Sequence, residues 1–410
     1  MSTTTDIAII GAGPYGLSLA AHLAGTGLDV RVFGQPMQFW RDSMPTGMVL
    51  KSEGFASNLW HPDGALELRD FCRSQGLPYQ HSGLPVPLET FWRYGLAFQR
   101  RFVPDLDTRS VTRLDHEGGR FVLRFDTGQQ VVARRVVLAV GIGFFSHLPC
   151  DLDAIVGPLC GHSTRYRDLD RFAGKEVLVI GGGASGVEMA ALISQAGGRA
   201  TVAARHDRIG FCGAPAPRGL LERIRAPESG LGTGWRSWAC VTAPMLFHHM
   251  PRDFRHMIVR RHLGPAPGWT ARAEIERNVT VILRADLVGS RFCEGRPAVT
   301  FRIGGAETRT VTADHVIAAT GFRADLGRLI FVSPRLRDAI SCEGPTPVLS
   351  RVFETSVPGL FMIGPIAANS FGPLLRFAYG AGFAARRLSR HLARGSLRRP
   401  ASAEPELALA

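Results

Sequence analysis

The chain has 410 residues, 45% of them hydrophobic, more than one hydrophobic core usually organises, and this predicts two or three domains. Its 47 glycines and 26 prolines are spread along the sequence rather than pooled, which excludes a collagen-like chain and a long disordered arm. The 48 basic residues outnumber 35 acidic ones to leave a formal charge of +13, but Lys51 and Lys175 are the only lysines and the arginines are scattered. The charge therefore reads as solvated helix faces and partners of anionic cofactors, not as a nucleic-acid groove.

The first residues run into a short apolar strand, Ile7 to Ile10, with no basic leader or cleavable hydrophobic region, so a cytoplasmic protein is expected. No uninterrupted apolar stretch approaches the ~20 residues of a membrane-spanning helix, so no membrane partner is expected. The seven cysteines are irregularly spaced and contain no C-x-x-C pair. That argues against a disulfide framework, a zinc site and dithiol reductase chemistry, which needs two neighbouring thiols.

After the first strand comes Gly11-Ala12-Gly13-Pro14-Tyr15-Gly16 and then an apolar helix from Leu17 to Leu23. Gly11 permits a tight turn, Gly13 lets the backbone approach a pyrophosphate, and Gly16 allows close helix-strand packing. The helix start offers free N–H groups to the anion. The second strand, Asp29 to Phe33, ends in Gly34-Gln35 where an acid would hold an adenosine ribose. Gln35 or backbone groups must serve instead, and this turn leaves NAD and FAD both open.

A meander follows over Ser110-Val111 to Leu114, Arg120 to Phe125 and Gln130 to Val140, closing at Gly141. The glycine pattern then returns: strand Glu176 to Ile180, turn Gly181-Gly182-Gly183-Ala184-Ser185-Gly186, helix Val187 to Leu192. Two separate dinucleotides are implied. The next strand, Arg199 to Ala204, ends in Arg205-His206-Asp207-Arg208, with cations where an acid would favour NAD, and this prefers NADPH with Arg205 and Arg208 on its 2′-phosphate. Ordinary surface arginines are the competing reading. The stretch from 210 to 270 is longer than a Rossmann connection and carries Trp235, Trp238, Phe247, His248, His249 and Trp269. It reads as a lid or packed insertion, and its histidines have no partners that would make a metal site. His315 to Phe322, with Thr320-Gly321, closes the second nucleotide-binding region.

This layout resembles the two-dinucleotide-binding flavoprotein monooxygenase superfamily, of flavin-containing and N-hydroxylating monooxygenases. Within it the nearest match is a bacterial branch related to FAD-dependent urate hydroxylase and aspartate N-monooxygenase. GAGPYG at Gly11, GGGASG at Gly181, ATGF at Ala319 and the phrase Pro358 to Gly364 carry the resemblance over nearly the whole chain. It implies an α/β fold of two Rossmann-like, three-layer ββα domains, with the NADPH domain inserted in the FAD domain. The expected limits are 1–160 and 321–395 for FAD, 161–320 for NADPH with the insertion at about 210–270, and a flexible tail at 396–410.

The implied cofactor-binding set is Gly11, Gly13, Pro14, Tyr15, Gly16, Gln35, Trp40, Val111, Gly141, Gly181, Gly183, Ser185, Gly186, Arg205, Arg208, Thr320, Gly321, Gly364, Asn369 and Ser370. Asn369-Ser370 is expected to introduce an apolar helix from Leu374 through Ala385 whose start faces the flavin, although both residues also suit a plain N-cap. Lys51 and Asn58, in a flavin-proximal loop, are the reaction-site choices; a turn cap at Asn58 and a solvent-facing Lys51 remain alternatives. A Baeyer–Villiger fingerprint is only partial around His162, which reads as ordering the inter-domain linker. No metal is expected.

The resemblance implies an NADPH-consuming, FAD-dependent monooxygenase working through a flavin C4a-(hydro)peroxide, with molecular oxygen and a small amine or amino acid hydroxylated on nitrogen as its partners. The alternatives are an NAD(P)H-dependent flavin reductase or oxidase, a ring-hydroxylating or sulfur-oxidising monooxygenase, and a non-catalytic flavin-binding sensor.

Overall fold

A computed structural model describes residues 3–213, 218–262 and 266–394; the expected tail at 396–410 lies outside them. The chain opens with strand β1 (Thr3–Ile10), the turn at Gly11 and helix α1 (Pro14–Leu23), then strand β2 (Val30–Phe33). Helix α2 (Leu88–Phe102) covers this unit, and β3 (Val111–Glu117), β4 (Arg120–Phe125) and β5 (Gln130–Leu138) form the expected meander. β1 lies between β2 and β5, parallel to both, so that Ile10 stands beside Phe33 on one side and Leu138 on the other. Ile7, Ala8 and Ile9 in the middle of this sheet are fully buried, as a strand covered on both faces requires.

The second unit is built from β6 (Cys160–His162), β7 (Glu176–Ile180), helix α3 (Ala184–Gln195) and β8 (Arg199–Ala203). The helices α4 (Trp235–Thr242), α5 (Pro244–His248) and α6 (Arg252–Arg261) follow as an insertion. The chain re-enters the unit with β9 (Thr280–Ile282), an antiparallel run of β10 (Ala285–Cys293), β11 (Arg296–Ile303) and β12 (Glu307–Thr312), and finally β13 (His315–Ala318). The order β9-β8-β7-β13-β6 is parallel throughout, a second doubly wound sheet that takes in Cys160–His162.

Only then does the chain complete its first sheet. Strand β14 (Leu360–Met362) lies parallel to the end of β5, with Leu360 beside Val136 and Met362 beside Leu138, on the side where β4 pairs with the beginning of β5. The order is that of one Rossmann-like unit interrupted by another. Helix α7 (Ala381–Arg394) closes the first unit against α1, burying Ala381, Ala384, Ala385, Leu388 and Leu392 along one stripe.

The expected single helix from Leu374 through Ala385 does not form. Pro373–Arg376 and Ala378–Gly380 are short 3-10 turns separated by an extended Phe377, and the α-helix starts only at Ala381. A tertiary hydrogen bond falls on this stretch: the Tyr15 hydroxyl is shared between the carbonyls of Leu375 and Phe377, 2.9 Å from each, and from the backbone Phe377 accepts only a 3-10 bond, from the Gly380 N–H.

His315 is the most displaced titratable group in the second sheet. It is 3% exposed, its Nε2 shares a 3.0 Å hydrogen bond with the Tyr166 hydroxyl, and Phe172 packs on its ring. Burial, reinforced by the charges of Arg171, Lys175 and Arg165, pushes its pKa down to about 4. The unfolded chain takes up this proton near pH 6.5, so its contribution is complete above that value and is lost as the pH falls towards 4. A His315→Phe variant is expected to flatten the acid limb of unfolding free energy between those values by on the order of 3 kcal/mol. Chemical denaturation at several pH values checks this; an unchanged slope would remove His315 from the account.

Candidate functional site

The first glycine turn is shaped by backbone contacts. Gly11 has φ +115°, its N–H bonds the Phe33 carbonyl at 2.9 Å, and a Cβ there would run into the Ala139 carbonyl. A Cβ at Gly16 would overlap the Gly11 carbonyl oxygen. Gly13 differs, because the space where its Cβ would stand is open. It occupies the N-cap of α1 with no side-chain cap, Pro14 takes the first helical position, and the first turn carries no acid. The helical ladder starts with the Leu17 N–H on the Gly13 carbonyl, so earlier N–H groups have no partner within the helix. An uncapped helix start with room in front of it and no competing negative charge fits a dinucleotide pyrophosphate.

The end of β2 is tied to the segment that leads into β3. The Gly34 N–H bonds the Asp107 carbonyl at 2.9 Å, and the Gln35 amide donates to the Thr108 carbonyl at 3.1 Å. The Arg109 guanidinium beside Asp107 holds that carboxyl below the usual range. Sequence reasoning missed Asp107, for which the pattern around β2 carries no signal. Trp40 packs edge-on against Phe91, Val111 pairs with Phe125 at the start of β3, and Gly141 leaves open space just beyond β5.

The C-terminal segment crosses this turn. Besides its hydroxyl bonds, Tyr15 lays its ring 3.6 Å from where a Cβ of Gly364 would stand. Asn369 sits in a four-residue helix, Ala368–Phe371, with its side chain donating to Thr346 Oγ1 at 2.9 Å. Its carbonyl accepts from Arg255 at 2.7 Å, and the carbonyl of buried Ser370 accepts from His248 Nδ1 at 3.2 Å.

The second turn repeats the geometry of the first. Gly181 has φ +134° and a Cβ there would run into the Ala319 carbonyl, while a Cβ at Gly186 would overlap the Gly181 oxygen. Gly183 caps α3 without a side-chain bond, Ser185 is exposed in the first turn, and again no acid is present there. A Cβ on Gly182 would stand 2.7 Å from that of Ala204, so the end of β8 lies directly on the turn. Arg205 and Arg208, just beyond, are exposed and, among the described residues, in no ion pair.

Opposite, Thr320 donates to the His147 carbonyl, and the Gly321 carbonyl accepts from the His147 N–H at 2.9 Å and from His162 Nε2 at 3.0 Å. His162 Nδ1 accepts from the Thr164 N–H two residues on, so one ring nitrogen holds its own turn and the other ties β6 to the exit of β13. His147 Nδ1 is buried with no partner among the described residues, and burial and then the charges of Arg323, Arg328 and Arg205 hold the ring neutral. An orphaned imidazole nitrogen among three arginines fits the phosphate-rich rim of a second dinucleotide. Sequence reasoning missed His147, Arg323 and Arg328.

Asn58 is buried and its amide is committed: Oδ1 accepts from the Leu68 N–H at 2.8 Å and Nδ2 donates to the Phe55 carbonyl at 3.3 Å. Lys51 is exposed, and its charge reaches Glu188 on α3. Glu188, also missed, is buried, accepts from the Gly268 N–H at 3.1 Å and has its pKa pushed up by burial. Among the described residues no group of three or more His, Cys, Asp or Glu could hold a metal ion, and all seven cysteines are free. No described helix is long and apolar enough to cross a membrane.

Residues 5–225 match the family model described as pyridine nucleotide-disulphide oxidoreductase. The chain belongs to that family. It is 25% identical over 370 residues to a ferredoxin–NADP reductase of Gluconacetobacter diazotrophicus, covering 89% of this chain and 84% of the relative. Its fold is that of the ornithine N-hydroxylase of Kutzneria sp. 744, solved with reduced FAD, NADP+ and L-ornithine. The TM-score is 0.76 at 16% identity, over 96% of this chain and all of that one. A flavin-containing monooxygenase from Stenotrophomonas maltophilia shares the fold at TM-score 0.67 and 19% identity, over 96% and 99% of the two chains. The chain is thus an FAD- and NAD(P)H-dependent oxidoreductase with the two-dinucleotide fold of the flavoprotein monooxygenases.

The paired turns separate in a colour assay. Gly16→Ala is expected to yield chain without bound flavin. Gly186→Ala is expected to stay yellow while its anaerobic reduction by NADPH slows by at least about tenfold. Loss of flavin from both variants would overturn the assignment of one turn to each cofactor.

Proposed function

We propose that this protein is an NADPH-consuming FAD monooxygenase that hydroxylates the nitrogen of a small amine or amino acid in the cytoplasm. When bound, FAD accepts a hydride from NADPH and, once reduced, activates molecular oxygen. In the overall reaction one oxygen atom ends in the new N–O bond and the other in water, with NADPH supplying two electrons. The protein's share is to bind, orient and keep water out.

In this reading the unit formed by 1–160 and 321–395 carries FAD, with the Gly11–Gly16 turn on its pyrophosphate. The unit formed by 161–320 carries NADPH on Gly181–Gly186, with Arg205 and Arg208 on the 2′-phosphate. Lys51 presents a cation at the boundary of the two units, and Asn58 positions the loop that carries it.

One observation favours oxygen transfer over simple electron transfer: the helical insertion is packed down on the C-terminal segment of the FAD unit. His248 stacks on Phe371 with ring centroids 4.9 Å apart and planes 18° from parallel, Phe247 lies against Gly372, and Arg255 bonds Asn369. Such a cover excludes water, which an oxygenase needs and an electron-passing reductase does not. The ferredoxin–NADP reductase relative supports the competing reading, a flavin reductase that passes electrons to a partner.

Anaerobic reduction with NADPH, followed by mixing with oxygen and a panel of small amines, separates the two. The expected outcome is hydroxylated product in near-equal proportion to NADPH consumed, with little hydrogen peroxide. Peroxide or reduced ferredoxin as the sole product overturns the proposal. The double variant Arg205→Ala/Arg208→Ala is expected to raise KM for NADPH by about tenfold or more while leaving that for NADH unchanged, as loss of a charge-assisted phosphate contact predicts.

A further inference from the structure

The insertion contains a trough that the proposed reaction does not use. Helix α4 turns Arg236, Ala239, Cys240 and Ala243 towards it, and α6 turns Phe254, Met257, Ile258 and Arg261. Both sets follow i, i+3, i+4, i+7 spacing, the pattern of a helix face meant to be covered. Among the described residues nothing covers them: α6 buries none of its residues and α4 only Ser237. The two stripes instead line an open cavity of about 560 Å³, with Leu246, Phe254 and Met257 left 62%, 42% and 38% exposed. That volume lies within the range of small-molecule sites, and so much exposed apolar surface on one small element marks a binding site.

The charged groups at the trough have one sign. Arg236 and Arg261 are exposed and, among the described residues, form no ion pair. His262, at the end of α6, lines the same cavity with a buried Nε2 that has no hydrogen-bond partner among the described residues. Two free guanidiniums and an orphaned imidazole nitrogen beside an apolar channel are what a carboxylate on a hydrocarbon chain would satisfy.

We propose that this trough binds a single-chain anionic amphiphile, with the chain between α4 and α6 and the carboxylate at Arg236, Arg261 and His262. The floor of the site is Phe247, which also lies against Gly372, so the ligand sits on the outer side of the cover over the FAD unit. The site stands independently of the oxygenation reading.

Calorimetric titration of the full, flavin-loaded chain with laurate below its aggregation concentration tests it. One-to-one binding with a negative heat-capacity change is expected. Arg236→Ala/Arg261→Ala and the trough-filling Ala239→Trp are each expected to weaken it at least about tenfold while NADPH still reduces the flavin at the parent rate, which shows that the variants are folded. Dodecyltrimethylammonium is expected not to bind. Three results would overturn the proposal: equal binding of that cation, which removes the anion selectivity; binding to anionic lipid vesicles with none to monomeric laurate, which makes the trough a membrane contact; or laurate binding only after truncation at Arg394, which gives the trough to the chain's own Glu404–Ala410 end.

Discussion

Four backbone oxygens, two at each glycine turn, organise the molecule. The carbonyls of Ala139 and Ala319, at the ends of β5 and β13, occupy the positions where Cβ atoms of Gly11 and Gly181 would be, and the carbonyls of Gly11 and Gly181 do the same to Gly16 and Gly186. Each pair of contacts draws a strand end, a turn and a helix start together more closely than any side chain allows. Both helix starts are left without a side-chain cap, an arrangement suited to a dinucleotide pyrophosphate.

Two further features of this chain lie outside the turns. The family is named for disulphide chemistry, but here all seven cysteines are free and none has a neighbour at C-x-x-C spacing. The other is the helical insertion, which anchors to the C-terminal segment through Arg255, a residue at once hydrogen-bonded to Asn369 and paired with Glu343 at 3.3 Å. It joins the nucleotide unit that carries it to the unit it covers.

The turns were legible because their physics is local: a strand, three glycines at fixed spacing and a helix lie within one short run of sequence, and the observed φ values of Gly11 and Gly181 are those the pattern demands. The meander was legible for the same reason, and its glycine-containing turns fall where the alternation breaks. The C-terminal helix was not. Leu374 to Ala385 has helical composition, but the Tyr15 hydroxyl takes two of its carbonyls from across the molecule, and no local pattern announces that bond.

The resemblance implied a flavin domain interrupted by a nucleotide one, while the sequence alone marked two anion cradles, cations after β8 and no C-x-x-C pair. These follow from residues adjacent in the chain. The tertiary structure decided what stands beside them: Asp107 at the bare end of β2, His147 among three arginines, Asn58 committed to its own loop, and a trough between α4 and α6 with an empty apolar face. The contacts of Asp107 and His147 depend on residues far apart in sequence that the closing of the sheets brings together, while those of Asn58 and the trough depend on how one loop and one insertion fold on themselves.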